Sequence, residues 1–127
     1  SYVRETTLYS DILTHRTGNV MTVVGDLAAR GGVGLRKIVW IADRETVRAQ
    51  HARMTARWGE ALYITITDPE YLEFMAPGVD KAHALEVAAE RLGVPAAHIL
   101  AFGDGGNDVA MLRWAGRGIA MPHGWEA

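Results

Sequence analysis

The sequence predicts an α/β fold in which a parallel, doubly wound unit follows a segment built on an antiparallel hairpin. Three observations carry this expectation. The apolar run Ile99-Leu100-Ala101-Phe102 meets Gly103-Asp104-Gly105-Gly106-Asn107-Asp108, after which Val109 and Leu112 share one helical face; this is a strand, a tight loop and a helix. Residues 80–121 continue as helix, strand, helix and short strand, the grammar of a parallel sheet. Upstream, residues 62–67 alternate at period two, Asp68-Pro69-Glu70 breaks the alternation, and residues 71–75 resume it, which reads as an antiparallel hairpin with one buried face.

Taken in order, residues 1–19 scatter their apolar side chains without a period and support no assignment. Val20, Val23, Val24 and Leu27 then fall on one helical face that Gly31-Gly32 would end. Residues 35–42 contain the strand Ile38-Val39-Trp40-Ile41. Asp43 offers an N-cap to a helix whose stripe is Val47, His51, Met54 and Trp58, closed by Gly59. Trp40, Met54 and Trp58 read as core. After the hairpin, residues 76–80 punctuate the chain. Asp80 caps a helix with apolar face Leu85, Ala88, Ala89 and Leu92, stopped by Gly93 and Pro95. A short strand at Gly118-Ile119-Ala120-Met121 completes the pattern. No repeat or low-complexity segment is present.

Composition narrows the function. A chain of 127 residues with 49% hydrophobic content can close one globular core or carry pieces of two. Thirteen basic and fifteen acidic residues give a net charge of −2 with no Lys or Arg run, which argues against nucleic acid and against an anionic membrane surface. No apolar stretch approaches the ~18 residues of a membrane span, and the N-terminus lacks a signal-peptide pattern. The absence of cysteine rules out disulfides and thiolate sites and fits a reducing cytoplasm, the expected compartment.

Chemistry concentrates in the glycine-rich loop. In open α/β sheets ligands bind beyond the carboxyl ends of strands, where this loop sets Asp104 and, one helical step on, Asp108. Two carboxylates flanking Asn107 suit a hard cation such as Mg²⁺, which takes oxygen ligands and often only one or two protein carboxylates alongside phosphate oxygens. The plain alternative is a βα turn with glycines for positive φ and Asn107 as N-cap. An EF-hand loop is excluded by Val109 where glycine is needed and by the strand that precedes the loop. A dinucleotide fingerprint keeps two glycines but has Asp108 in place of the third, and its carboxylates would oppose a pyrophosphate. His51, His83, His98 and His123 lack metal-ligand spacing and read as structural or surface residues.

Residues 72–85 with Lys81, residues 99–112, Ala115-Gly116 and residues 118–121 together closely resemble the haloacid dehalogenase superfamily, and within it the Cof-type phosphatases. There a Lys opening a helix and a Gly-Asp-x-x-Asn-Asp loop are the third and fourth signature motifs. The resemblance is detailed over residues 72–121 and architectural before that. It implies a HAD-like (Rossmannoid) parallel-sheet core in residues 77–127, preceded in residues 1–76 by the C-terminal part of an α/β cap, with residues 76–80 as a hinge. It further implies a Mg²⁺-dependent phosphatase for small phosphorylated metabolites, sugar phosphates or similar, in which an aspartate attacks phosphorus and water hydrolyses the aspartyl phosphate. Lys81 would be the catalytic, phosphate-binding ammonium, Asn107 a phosphate contact, Asp104 a direct metal ligand and Asp108 its support from a second position.

The chain departs from that pattern in one respect. Family members carry an early Asp-x-Asp whose first Asp is the nucleophile, and no Asp here has another Asp two residues later. The expectation is therefore a C-terminal fragment that is inactive alone and that either associates with itself or pairs with an N-terminal portion. The alternative is a catalytically silent binding or regulatory module that retains the metal loop.

Overall fold

The computed structural model describes residues 1–31 and 34–124, and these form two compact units that divide between Arg36 and Lys37. In the first, β1 (Tyr2–Val3) pairs in parallel with β2 (Thr22–Val23), and α1 (Leu8–Thr17) lies between them in sequence. The α1 helix starts because the Thr7 hydroxyl accepts the Ser10 N–H while the Ser10 hydroxyl accepts the Thr7 N–H, a reciprocal cap. The helix expected from Val20 up to the Gly31-Gly32 stop is not formed. Thr22–Val23 is a strand, and Gly25 sits at φ +71°, a left-handed conformation that breaks a helix at mid-length. Only a 3-10 turn at Ala28–Arg30 follows, led by the Asp26 carboxylate accepting the Ala28 N–H, and Gly31 succeeds it. Gly32, the second half of the expected stop, lies outside the described residues.

The second unit opens with β3 (Ile38–Ile41), α2 (Arg44–Trp58), β4 (Tyr63–Asp68) and β5 (Tyr71–Met75). Asp43 caps α2 as expected. Its carboxylate accepts the Thr46 N–H at 2.9 Å and the Thr46 hydroxyl at 2.7 Å, and these bonds hold its pKa below the usual value. The strands form one antiparallel sheet in the order β3-β5-β4. Register places Ile38 and Trp40 on β3 opposite Phe74 and Leu72, which in turn oppose Ile64 and Ile66 on β4. The α2 helix covers this face, and Val47, Ile64 and Leu72 are its buried centre, with Met54, Leu62, Ile66 and Phe74 around them. Burial of each such side chain is worth ~1.5–3 kcal/mol.

Two details depart from the sequence expectation. Ile64 and Thr65 are buried as neighbours on β4, and Leu72 and Glu73 likewise on β5, so the hairpin is covered on both faces rather than one. Trp40 and Trp58 are exposed, not core. α2 contacts β4 and β5, so β3 at the sheet edge keeps its outer aromatic in solvent. Trp58, in the last turn of α2, instead stacks under the Arg57 guanidinium at 5.2 Å.

Beyond the hairpin come α3 (Lys81–Leu92), β6 (Leu100–Gly103), α4 (Val109–Trp114) and β7 (Arg117–Ala120). β6 and β7 pair in parallel, Leu100 opposite Arg117 and Gly103 opposite Ala120. α4 packs on both strands and α3 packs on α4. Of the α3 face read from the sequence, Ala89 is buried while Ala88 and Leu92 are exposed. Among the described residues no helix is long and apolar enough to cross a membrane.

Candidate active site

The site grows from the end of β6. The strand stops at Gly103, the chain turns through residues 104 and 105, and a 3-10 turn at Gly106–Asp108 leads into α4. Asp108, not Asn107, ties this loop down. Its Oδ2 accepts the backbone N–H groups of Asp104 at 2.9 Å and Gly105 at 3.1 Å. Its Oδ1 accepts the ammonium of Lys81, the first residue of α3, from 27 residues away in sequence. Asp80 sets the start of α3 by accepting the His83 N–H at 2.8 Å, so Lys81 stands at a helix N-terminus, where the backbone dipole favours anions.

Burial acts against the Asp108 carboxylate and would raise its pKa, but the Lys81 hydrogen bond, the N–H groups of Gly105 and Asp104, and the Lys81 charge outweigh it; the net pKa lies below the usual 3.8. The carboxylate is 4% exposed while the Lys81 side chain is 51% exposed. The ammonium is thus held from one side and open to solvent on another. Gly103 makes this possible, because a Cβ there would stand 2.4 Å from the Cβ of Asp108.

Lys81, Asp104 and Asp108 therefore come together as one constellation, and Asn107 stands beside them, half-buried and without a side-chain hydrogen bond among the described residues. Asp104 is exposed, its backbone fixed by Asp108 and its carboxylate free of hydrogen bonds among the described residues. One free hard carboxylate suits Mg²⁺ completed by water and phosphate oxygens, whereas both Asp108 oxygens are already engaged within the protein. Among the described residues no three His, Cys, Asp or Glu side chains gather as a ready-made metal cage. The donor set fits a cation held by Asp104, with Asp108 acting through the loop.

A second ion pair was not foreseen. Glu73 on β5, its side chain 10% exposed, accepts the Lys37 ammonium at 2.8 Å. A charged residue inside the run Tyr71-Leu72-Glu73-Phe74-Met75 was the available signal. β4, next to β5, lies against the 3-10 turn that carries Asp108.

A family model described as haloacid dehalogenase-like hydrolase matches residues 5–126. The chain belongs to that family. It is 32% identical over 92% of its length to a 5-amino-6-(5-phospho-D-ribitylamino)uracil phosphatase of Bacillus subtilis, covering 43% of that protein. It is 33% identical over 67% of its length to an HMP-PP phosphatase of Cronobacter sakazakii, covering 31% of it. The fold is also that of a HAD/COF-like hydrolase from Plasmodium vivax, with a TM-score of 0.86 at 20% identity over 98% of this chain and 44% of the other. A haloacid dehalogenase-like hydrolase from Bacteroides thetaiotaomicron superposes with a TM-score of 0.78 at 23% identity, over 98% of this chain and 47% of the other. The chain thus spans less than half the length of these relatives.

Proposed function

We propose that this chain carries the phosphate- and cation-binding part of a Mg²⁺-dependent phosphatase for small phosphorylated metabolites, with the attacking aspartate supplied from outside these 127 residues. The observation that supports this most is the Asp108 anchor, which holds a half-exposed ammonium and the backbone of a free carboxylate on one buried group. Lys81 would bind a phosphoryl oxygen and stabilise the charge that spreads over the transferring group, and Asn107 would contact the same phosphate. Asp104 would hold Mg²⁺ directly, and Asp108 would support it from a second position by fixing the Asp104 backbone. When bound, Mg²⁺ supplies Lewis-acid polarisation of a phosphoryl oxygen.

In this reading residues 1–76 are the C-terminal part of a cap, residues 77–127 a partial core, and the cytoplasm the place of work. The relatives named above are phosphatases, and one is named for a small phosphorylated compound, which favours the same substrate class. With Mg²⁺ present, p-nitrophenyl phosphate should not be hydrolysed by this chain alone. In a full-length enzyme carrying these residues, Lys81→Ala and Asp104→Ala should each lower turnover by about 10²-fold or more with the circular dichroism unchanged. Turnover by the isolated chain that Lys81→Ala abolishes would put the nucleophile within it and overturn the reading.

A further inference from the structure

Residues 76–80 link the hairpin to α3, and beside them lies a cleft of about 400 Å³ that the phosphate chemistry above does not use. Pro77, Val79 and the half-buried Trp114 of α4 give it an apolar lining, and Asp80, His83 and Glu86 at the start of α3 give it polar groups. At 3.6 residues per turn, positions 82, 83 and 86 lie roughly 100–200° around α3 from Lys81. The cleft and the phosphate site therefore occupy different sides of one helix N-terminus. No Lys or Arg lines the cleft. Its two carboxylates are only partly engaged: Asp80 Oδ1 accepts the His83 N–H at 2.8 Å, and Glu86 Oε2 stands 3.5 Å from His83 Nδ1. Among the described residues the other oxygen of each makes no hydrogen bond. A phosphate would meet this charge as repulsion, and a cation would be drawn to it. Among the described residues no three His, Cys, Asp or Glu side chains gather closely enough to hold a metal ion, so the cation that fits is an organic one.

We infer that this cleft binds a small organic cation bearing a guanidinium group, at a site separate from that of the phosphate. A guanidinium is flat, stacks on the face of an indole and directs a fork of N–H donors at carboxylates. Trp114 supplies the indole, and Asp80 and Glu86 supply the carboxylates. An ammonium brings a point charge without the plane or the fork and suits the set less well. The volume is that of a small-molecule site, for which ~300–1,000 Å³ is usual.

The test follows the Glu86 amide and the Trp114 indole N–H of the ¹⁵N-labelled 127-residue chain during titration with n-propylguanidinium, n-butylammonium and the neutral isostere n-propylurea. The guanidinium should move both signals, and the urea should bind about five- to tenfold more weakly, the difference between hydrogen bonds to a charged and to a neutral donor. The ammonium should fall between them. Glu86→Gln, at a half-exposed side chain, should weaken guanidinium binding about three- to tenfold, and Trp114→Leu should do the same. Inorganic phosphate should leave both signals in place and should not compete. Silence of Glu86 and Trp114 toward the guanidinium, or equal affinity for the urea, would overturn the site. An ammonium that binds as tightly would overturn the guanidinium assignment. A terminally blocked Ala-Arg-Ala peptide that binds more than tenfold tighter than n-propylguanidinium would make the occupant an arginine of another protein and overturn the small-molecule assignment. The phosphate site is read separately, from the response of residues 104–108 to inorganic phosphate.

Discussion

At the scale of single residues the molecule turns on Asp108, which satisfies two loop N–H groups and an ammonium with one buried carboxylate. Asn at this position keeps the shape but loses the charge and one acceptor oxygen, so Asp108→Asn should cost about 1–3 kcal/mol in urea unfolding at pH 7. The pH dependence has a definite sign. Because the folded-state pKa lies below 3.8, the stabilisation is complete above about pH 4 and is lost as pH falls through the lower folded value. Unfolding measured between pH 7 and pH 2 should show this loss in the native chain, and a flatter acid limb in Asp108→Asn. Gly103 is a dependent of the same carboxylate. Gly103→Ala drives a Cβ into Asp108 and should destabilise by about 1–3 kcal/mol, with thermal unfolding as the measurement.

Among elements, the three-stranded sheet and α2 form the better-filled core, and its weight falls on the hairpin rather than on β3. Leu72→Ala should cost about 2–5 kcal/mol, while Trp40→Ala on the exposed edge should stay within about 1 kcal/mol; chemical denaturation of both variants would compare them directly. This division explains what was legible in the sequence. α2, the hairpin, α3 and β6 could be read because each carries a local signal: the caps Asp43 and Asp80, period-two alternation, and a four-residue apolar run before glycine. The α1 helix could not, since its start depends on the Thr7–Ser10 cap and its apolar residues keep no period. The helix expected from Val20 to the Gly31-Gly32 stop counted apolar spacing and overlooked the left-handed Gly25 within it. Of the site, Lys81 and the loop were legible by motif, but their meeting on Asp108 depends on how α3 and α4 pack. Glu73 was missed because a hairpin with one apolar face leaves it on the open side, and only the fold reveals that this side is covered.

For the whole molecule the decisive feature is the sheet of β6 and β7, which has two strands where a doubly wound core has more. Among the described residues β6 pairs only with β7, so its other edge carries unused N–H and C=O groups over residues 100–103. Register sets Leu100 and Phe102 on one face of that strand, and they are 52% and 54% exposed, while Ala101 between them is buried. Leu92 at the end of α3 is exposed as well. A free edge flanked by bare apolar side chains is a template for a further strand, and soluble monomers seldom leave such surface uncovered. The chain should therefore associate, either with a second copy of itself or with another polypeptide segment that adds a strand to this edge. Light scattering on the chain alone at micromolar concentration should give a mass above the 13.9 kDa of one copy. Phe102→Lys places a charge where the edge must be dry and should shift the population toward the monomer. A stable monomer with sharp near-ultraviolet dichroism and no binding of a hydrophobic dye would contradict this, because it would mean that the 127 residues close their own core without covering β6.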